Sequence, residues 1–215
     1  MSKVFYDKPI IYQIFEELRK PRPKQDQNKL IKLVSRLPPE DINKQDKKGS
    51  TVLMLVTQCE YMFNYKYTEI VKLLLKKGIN ANIQDDDGDT VLTYASYYNC
   101  IETVKLLLEH KDIDVNIQDY YESTALMFAV KEGYIEIVKL LLEHKDINVN
   151  VKNGYRETAL TIASRCGHTE IIKLLLEHKD TDIKIQDNTK NTALDIAYMA
   201  EHTEIVELLE NHNSI

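Results

Sequence analysis

A step of 34 residues recurs along most of this 215-residue chain, and it constrains the fold more than any other feature. The segments Val104–Asp112, Val138–Asp146 and Ile172–Asp180 are close copies of one another. Thr90, Thr124, Thr158 and Thr192, which open the preceding segment of each unit, keep the same spacing. A period of this length marks a solenoid, in which short units stack and bury a continuous core that none could form alone.

Each unit reads as two short helices. In the unit around Thr124, that Thr is a natural N-cap for Ala125–Val130, and Gly133 suits the left-handed residue that ends such a helix. Ile137, Val138, Leu141 and Leu142 then fall on one face at helical spacing, which predicts a buried outer helix with Leu141 and Leu142 in the core. Neither helix is long enough to persist alone in water.

The run Asp85-x-x-Gly88-x-Thr90-x-Leu92-x-x-Ala95, followed by Glu102-x-Val104-x-x-Leu107-Leu108 and Asn116, resembles the ankyrin repeat. The resemblance implies an all-α solenoid of stacked helix-turn-helix units, with inner helices on a concave face, outer helices on a convex face, and loops projecting as β-hairpin fingers. Five units are expected, at 42–84, 85–118, 119–152, 153–186 and 187–215. Residues 1–41 are expected to form a degenerate helical cap, from two amphipathic stretches divided by Pro21 and Pro23. The family places a His where this chain has Met54, Thr93, Met127, Thr161 and Asp195, so the family's Thr–His bond is missing. A less rigid head of the inner helix is the expected consequence. The glycine of the inter-helix turn becomes Asn99 in one unit and Glu201 in the last. Glu accepts positive φ poorly, which points to the last unit as the softest.

Composition narrows the function. The net charge of −6 and a basic set dominated by Lys, with only Arg19, Arg22, Arg36, Arg156 and Arg165, argue against nucleic acid and phosphate ligands. No apolar run spans a bilayer and the first residues lack a signal-peptide pattern, so a cytoplasmic protein without membrane contact is expected. Cys59, Cys100 and Cys166 form neither a disulfide framework nor a zinc motif.

His110, His144 and His178 also recur at the period, but equivalent residues of stacked helices lie about 8–10 Å apart, too far to share an ion. Asp85-Asp86-Asp87-Gly88-Asp89 does not meet the calcium-loop pattern, because Ile83 and Tyr94 occupy its first and last places. Cys166 beside His168 is the one conceivable nucleophile pair, and no third group orients it. No metal and no cofactor are therefore expected. An enzyme of the Cys/His kind and a purely structural spacer are the disfavoured alternatives to a module, expected as a monomer, that binds another protein.

In the family's geometry, finger tips and the ends of inner helices face one groove. That maps onto Asp86, Asp87, Asp89, Tyr97 and Tyr98, then Tyr120, Tyr121, Lys131 and Glu132, then Tyr155, Arg156 and Arg165. The layout predicts an apolar, Tyr-rich centre with acid at one end and Arg at the other. A second patch is possible where the first unit carries six extra residues, around Tyr61, Phe63, Tyr65 and Tyr67. The same insertion could instead fold onto the N-terminal helices, and the sequence leaves both readings open. Asn116 resembles an acceptor for the asparagine hydroxylation that ankyrin repeats undergo, beside a plainer role in bonding the loop backbone. Repeats of this flavour are similar to those of large DNA viruses and intracellular pathogens, and a host-directed role would follow from such a source.

Overall fold

The computed structural model describes residues 8–20, 26–63 and 67–213, with side chains throughout except at 61–63 and 213. Among the described residues there are twelve α-helices and no strand. They pair in chain order: α1 (Ile10–Leu18) with α2 (Gln27–Ser35), α3 (Val52–Phe63) with α4 (Thr68–Lys76), α5 (Val91–Tyr97) with α6 (Ile101–Leu108), α7 (Ala125–Lys131) with α8 (Ile135–Leu142), α9 (Ala159–Cys166) with α10 (Thr169–Glu177), and α11 (Ala193–Met199) with α12 (Thr203–Asn213). Odd-numbered helices pack on one another in an inner layer and even-numbered helices in an outer layer. The core runs between the layers without a break, from Ile11 through Val71, Leu107 and Leu141 to Leu209.

Leu141 is fully buried with Ile137 and Val138, whereas Leu142 is only partly buried at the edge of the core. The difference follows from helical geometry: at about 100° per residue, Ile137, Val138 and Leu141 share an arc of about 100°, and Leu142 falls about 40° beyond its edge.

The heads of the inner helices are better fixed than the missing His suggests. Thr90 Oγ1 accepts from the Thr93 amide at 3.3 Å, and Thr93 Oγ1 accepts from the Thr90 amide at 2.8 Å. Thr158 with Thr161, and Thr192 with Asp195, repeat this reciprocal capping box. The short polar residue at the family's His position thus satisfies the orphan N–H groups that would otherwise loosen the first turn. Where that residue is Met54 or Met127, the amide bond to the Thr hydroxyl remains, at 3.4 Å in both units.

The projecting loops are tight turns and not paired strands. Each pair of neighbouring loops shares a single backbone bond, such as Tyr120 N–H to Asp87 O at 3.2 Å and Gly154 N–H to Tyr121 O at 2.9 Å. Nearer the outer helices, Asn82, Asn116 and Asn150 form a ladder. Asn116 Nδ2 donates to Asp146 O at 2.7 Å while its Oδ1 accepts from the Asn148 amide at 2.8 Å.

The turn between inner and outer helix requires positive φ in every unit after the first. Gly133 and Gly167 adopt 75°, and Asn99 and Glu201 are forced to 57° and 58°. A Cβ in this region is strained, so Glu201→Gly should stabilise the protein by about 0.5–1 kcal/mol. A urea titration should show a higher midpoint with an unchanged slope; a lower midpoint would contradict the assignment of strain.

The insertion in the first unit lengthens α3 to 12 residues, against 7 or 8 in α5, α7, α9 and α11. Tyr61 and Phe63 lie in its last turn, their side chains outside the described residues, as is Tyr65 altogether. Tyr67 is 1 % exposed and belongs to the core, so it is not part of a surface patch.

Candidate partner-binding groove

Five loops carry the same local device. Asp46, Asp85, Asp119, Asn153 and Asp187 each use Oδ1 to accept the amide N–H groups two and four residues on, an Asx turn that sets the loop's shape. The fourth residue of the turn then has positive φ: Gly49, Gly88, Glu122, Arg156 and Lys190. In the three middle loops the third and fifth residues, Asp87 and Asp89, Tyr121 and Ser123, Tyr155 and Glu157, face the inner helices.

Between these loops and α5, α7 and α9 lies a groove of about 580 Å³. Part of its wall is an aromatic cluster on α5 and α7. Tyr97 meets Phe128 edge-on at 5.9 Å and Tyr98 at 5.0 Å, and Tyr94 stacks on Tyr98 at 5.9 Å. Tyr121 and Tyr155 stand over it from the loop tips, 73 % and 68 % exposed.

The groove is acidic at its N-terminal end, where Asp87, Asp89 and Asp119 line it. Burial, with the charges of Asp85, Asp119 and Asp87, pushes the Asp89 carboxyl up to about 6 against a hydrogen bond from Thr93. Burial also raises the Asp119 carboxyl. Because the folded state holds the Asp89 proton more tightly than the unfolded chain, with its ordinary value near 3.9, this group favours folding at low pH. That contribution disappears as pH rises through about 6. Asp89→Asn should therefore raise the urea midpoint at neutral pH, and the gain should shrink as pH falls towards about 5. A gain independent of pH would contradict the account.

Of the residues expected from sequence, Asp87, Asp89, Tyr97, Tyr98, Tyr121, Lys131, Tyr155 and Arg165 line the groove. Asp86, Tyr120, Glu132 and Arg156 do not. Tyr120 is the second residue of its turn, and its ring lies over Gly88, where a Cβ would come within 2.7 Å of the Tyr120 amide. Arg156 sits at the turn's fourth place with φ 60°, where the chain reverses. The basic end is weaker than the sequence implies, because Arg165 Nε donates to Glu157 Oε1 at 3.0 Å. Asn116 is engaged by both its amide atoms in the ladder described above.

Sequence reasoning missed Tyr94, Asp119, Phe128, Asn153 and Glu157. The signal was present: Tyr94 and Phe128 differ by the period, as do Asp85, Asp119 and Asn153. What was missing was that the third and fourth residues of α5 and α7 also face the groove.

His168 Nε2 lies 3.3 Å from Lys131 O, and no hydrogen bond joins the ring to Cys166. Cys100 is buried, which pushes its thiol up to about 12, far from a reactive thiolate. Among the described residues, no cluster of three or more His, Cys, Asp or Glu could hold a metal ion, and no helix is long and apolar enough to cross a membrane.

The family model described as ankyrin repeats in three copies matches residues 24–119, 59–153 and 126–215. The chain belongs to the ankyrin-repeat family. Over 94 % of its length it superposes on the crystal structure of the ankyrin repeat protein EF0377, with a TM-score of 0.79, 27 % identity and 96 % of that chain covered. It is also 39 % identical over 70 residues to an ankyrin repeat protein of Acanthamoeba polyphaga mimivirus. That match takes in 33 % of this chain and spans 16 % of the viral relative. Ankyrin repeats generally mediate protein–protein interaction and are typically non-enzymatic scaffolds.

Proposed function

We propose that this ankyrin-repeat chain is an adaptor that binds one partner protein in the concave groove, as a monomer in the cytoplasm. The observation that carries the reading is the pair Tyr121 and Tyr155, large rings left 73 % and 68 % exposed over a 580 Å³ groove that already holds the cluster of Tyr94, Tyr97, Tyr98 and Phe128. Tyr offers wide contact area with few rotatable bonds, which lowers the entropic cost of binding. A spacer would have no need of such side chains at its loop tips. In the same reading, α1 and α2 serve as the N-terminal cap, since they pack on each other and, respectively, on α3 and α4. The viral relative supports a host protein as the partner.

Site-specific photo-crosslinking tests this. With a photoreactive residue at Tyr121, a partner should be captured from host-cell extract. With the same residue at Lys139 on the outer helix α8, it should not. Capture from Lys139 alone would place the interface on the convex face and contradict the proposal.

A further inference from the structure

The loop carboxylates show what chemistry the groove is built to accept. In each Asx turn Oδ1 is consumed by backbone amides, and the second side-chain atom is matched differently from loop to loop. Asp46 pairs with Arg19. Asp85 Oδ2 accepts the Tyr94 hydroxyl at 2.7 Å. Asn153 carries no charge, and its Nδ2 donates to Glu157 Oε2 at 3.1 Å, with Arg165 on the other oxygen.

Asp119 and Asp187 break the series, and of the two only Asp119 lines the groove. Phe128 stands one period after Tyr94 and brings no hydroxyl. Asp119 is only 7 % exposed as a whole residue and lines the groove, and its Oδ2, without a hydrogen-bond partner among the described residues, is the part that solvent reaches. Nor does any described Lys or Arg form an ion pair with Asp85, Asp87, Asp89 or Asp119. A carboxylate held this way, with one oxygen open to the groove and no ion pair, offers a donor that also carries positive charge a stronger bond than water does.

We infer that the groove receives an arginine or lysine side chain from an extended basic segment of the partner, its charge at Asp119 and Asp89 and its stem against Phe128 and Tyr97. This rests on the docking reading above and specifies what docks. The aromatic faces favour the same occupant, because a cation is attracted to the ring quadrupole. Burial is the main cause that pushes the Asp89 carboxyl up to about 6, and the charges of Asp85, Asp119 and Asp87 add to it, which places a negative field at this end of the groove. An acidic or phosphorylated segment would be repelled by it.

The test uses the full chain, immobilised, and a phage-displayed library of random dodecapeptides. Peptides whose binding is lost in Tyr121→Ala should share an Arg or Lys, and replacing that residue by citrulline or Gln should weaken binding about tenfold or more. Asp119→Asn should produce a similar loss. The change is compatible with the turn, since Asn153 makes the same Asx bonds one period later. Phe128→Tyr should also weaken binding although it removes no charge, because its hydroxyl would occupy Asp119 as Tyr94 occupies Asp85. Circular dichroism melts should show both variants folded.

Groove-binding peptides that need no basic residue, or basic peptides indifferent to both variants, would overturn this inference and leave the docking reading standing. A library yielding no peptide sensitive to Tyr121→Ala would contradict both.

Discussion

Leu141→Ala is expected to lower the stability of the whole array by about 2–5 kcal/mol, the range for removing a fully buried leucine without collapse of the cavity. Leu141 is fully buried in α8, and that helix packs on α6, α7 and α10, so the cavity opens at the junction of three units. In a solenoid, stability is a sum of unit and nearest-neighbour terms, and a loss in the middle unit weakens both interfaces. Leu209 is equally buried, but α12 packs only on α10 and α11. Leu209→Ala should therefore fall at the lower end of the range and release only the last unit early. Urea titration of both variants, read by circular dichroism, decides it. Equal losses with equal slopes would mean that the array melts as one body and that position along the stack does not grade stability.

The parts of this fold that were legible in the sequence are those fixed by the period. Thr90, Thr124, Thr158 and Thr192 mark the starts of inner helices α5, α7, α9 and α11, and each caps its helix as the pattern implies. Asn99 and Glu201 do occupy the positive-φ place of Gly133 and Gly167. What a period cannot give is the direction in which equivalent side chains point. Tyr120 and Tyr121 are neighbours of equal exposure, yet one covers Gly88 and the other lines the groove, a difference set by the Asx turn at Asp119. The same limit explains Arg156 and the unforeseen Glu157: the fifth residue of the turn, not the fourth, faces inward. The capping boxes at Thr93 and Thr161 were misjudged for another reason. Attention to a missing family residue hid the bond that its replacement makes.

The acidic end of the groove was read correctly as charge and incompletely as chemistry. Asp85 and Asp119 look equivalent in sequence. The Tyr94 hydroxyl that satisfies one is absent at Phe128 beside the other, and only the packed structure shows that the difference opens onto the groove.

Replacing Tyr121 and Tyr155 together by Ala is the most direct test of the central claim, that the concave groove is where a partner binds. Both side chains are largely exposed and make no side-chain hydrogen bond, while their amides are held by Asp119 and Asn153 whatever the side chain. Folding should change by no more than about 0.5 kcal/mol. With a captured partner, titration calorimetry should show a loss of about 2 kcal/mol or more for each ring if they are binding hot spots. Unchanged affinity in the double variant, with folding intact, would contradict the groove assignment and move attention to the segment around Tyr61 and Tyr65.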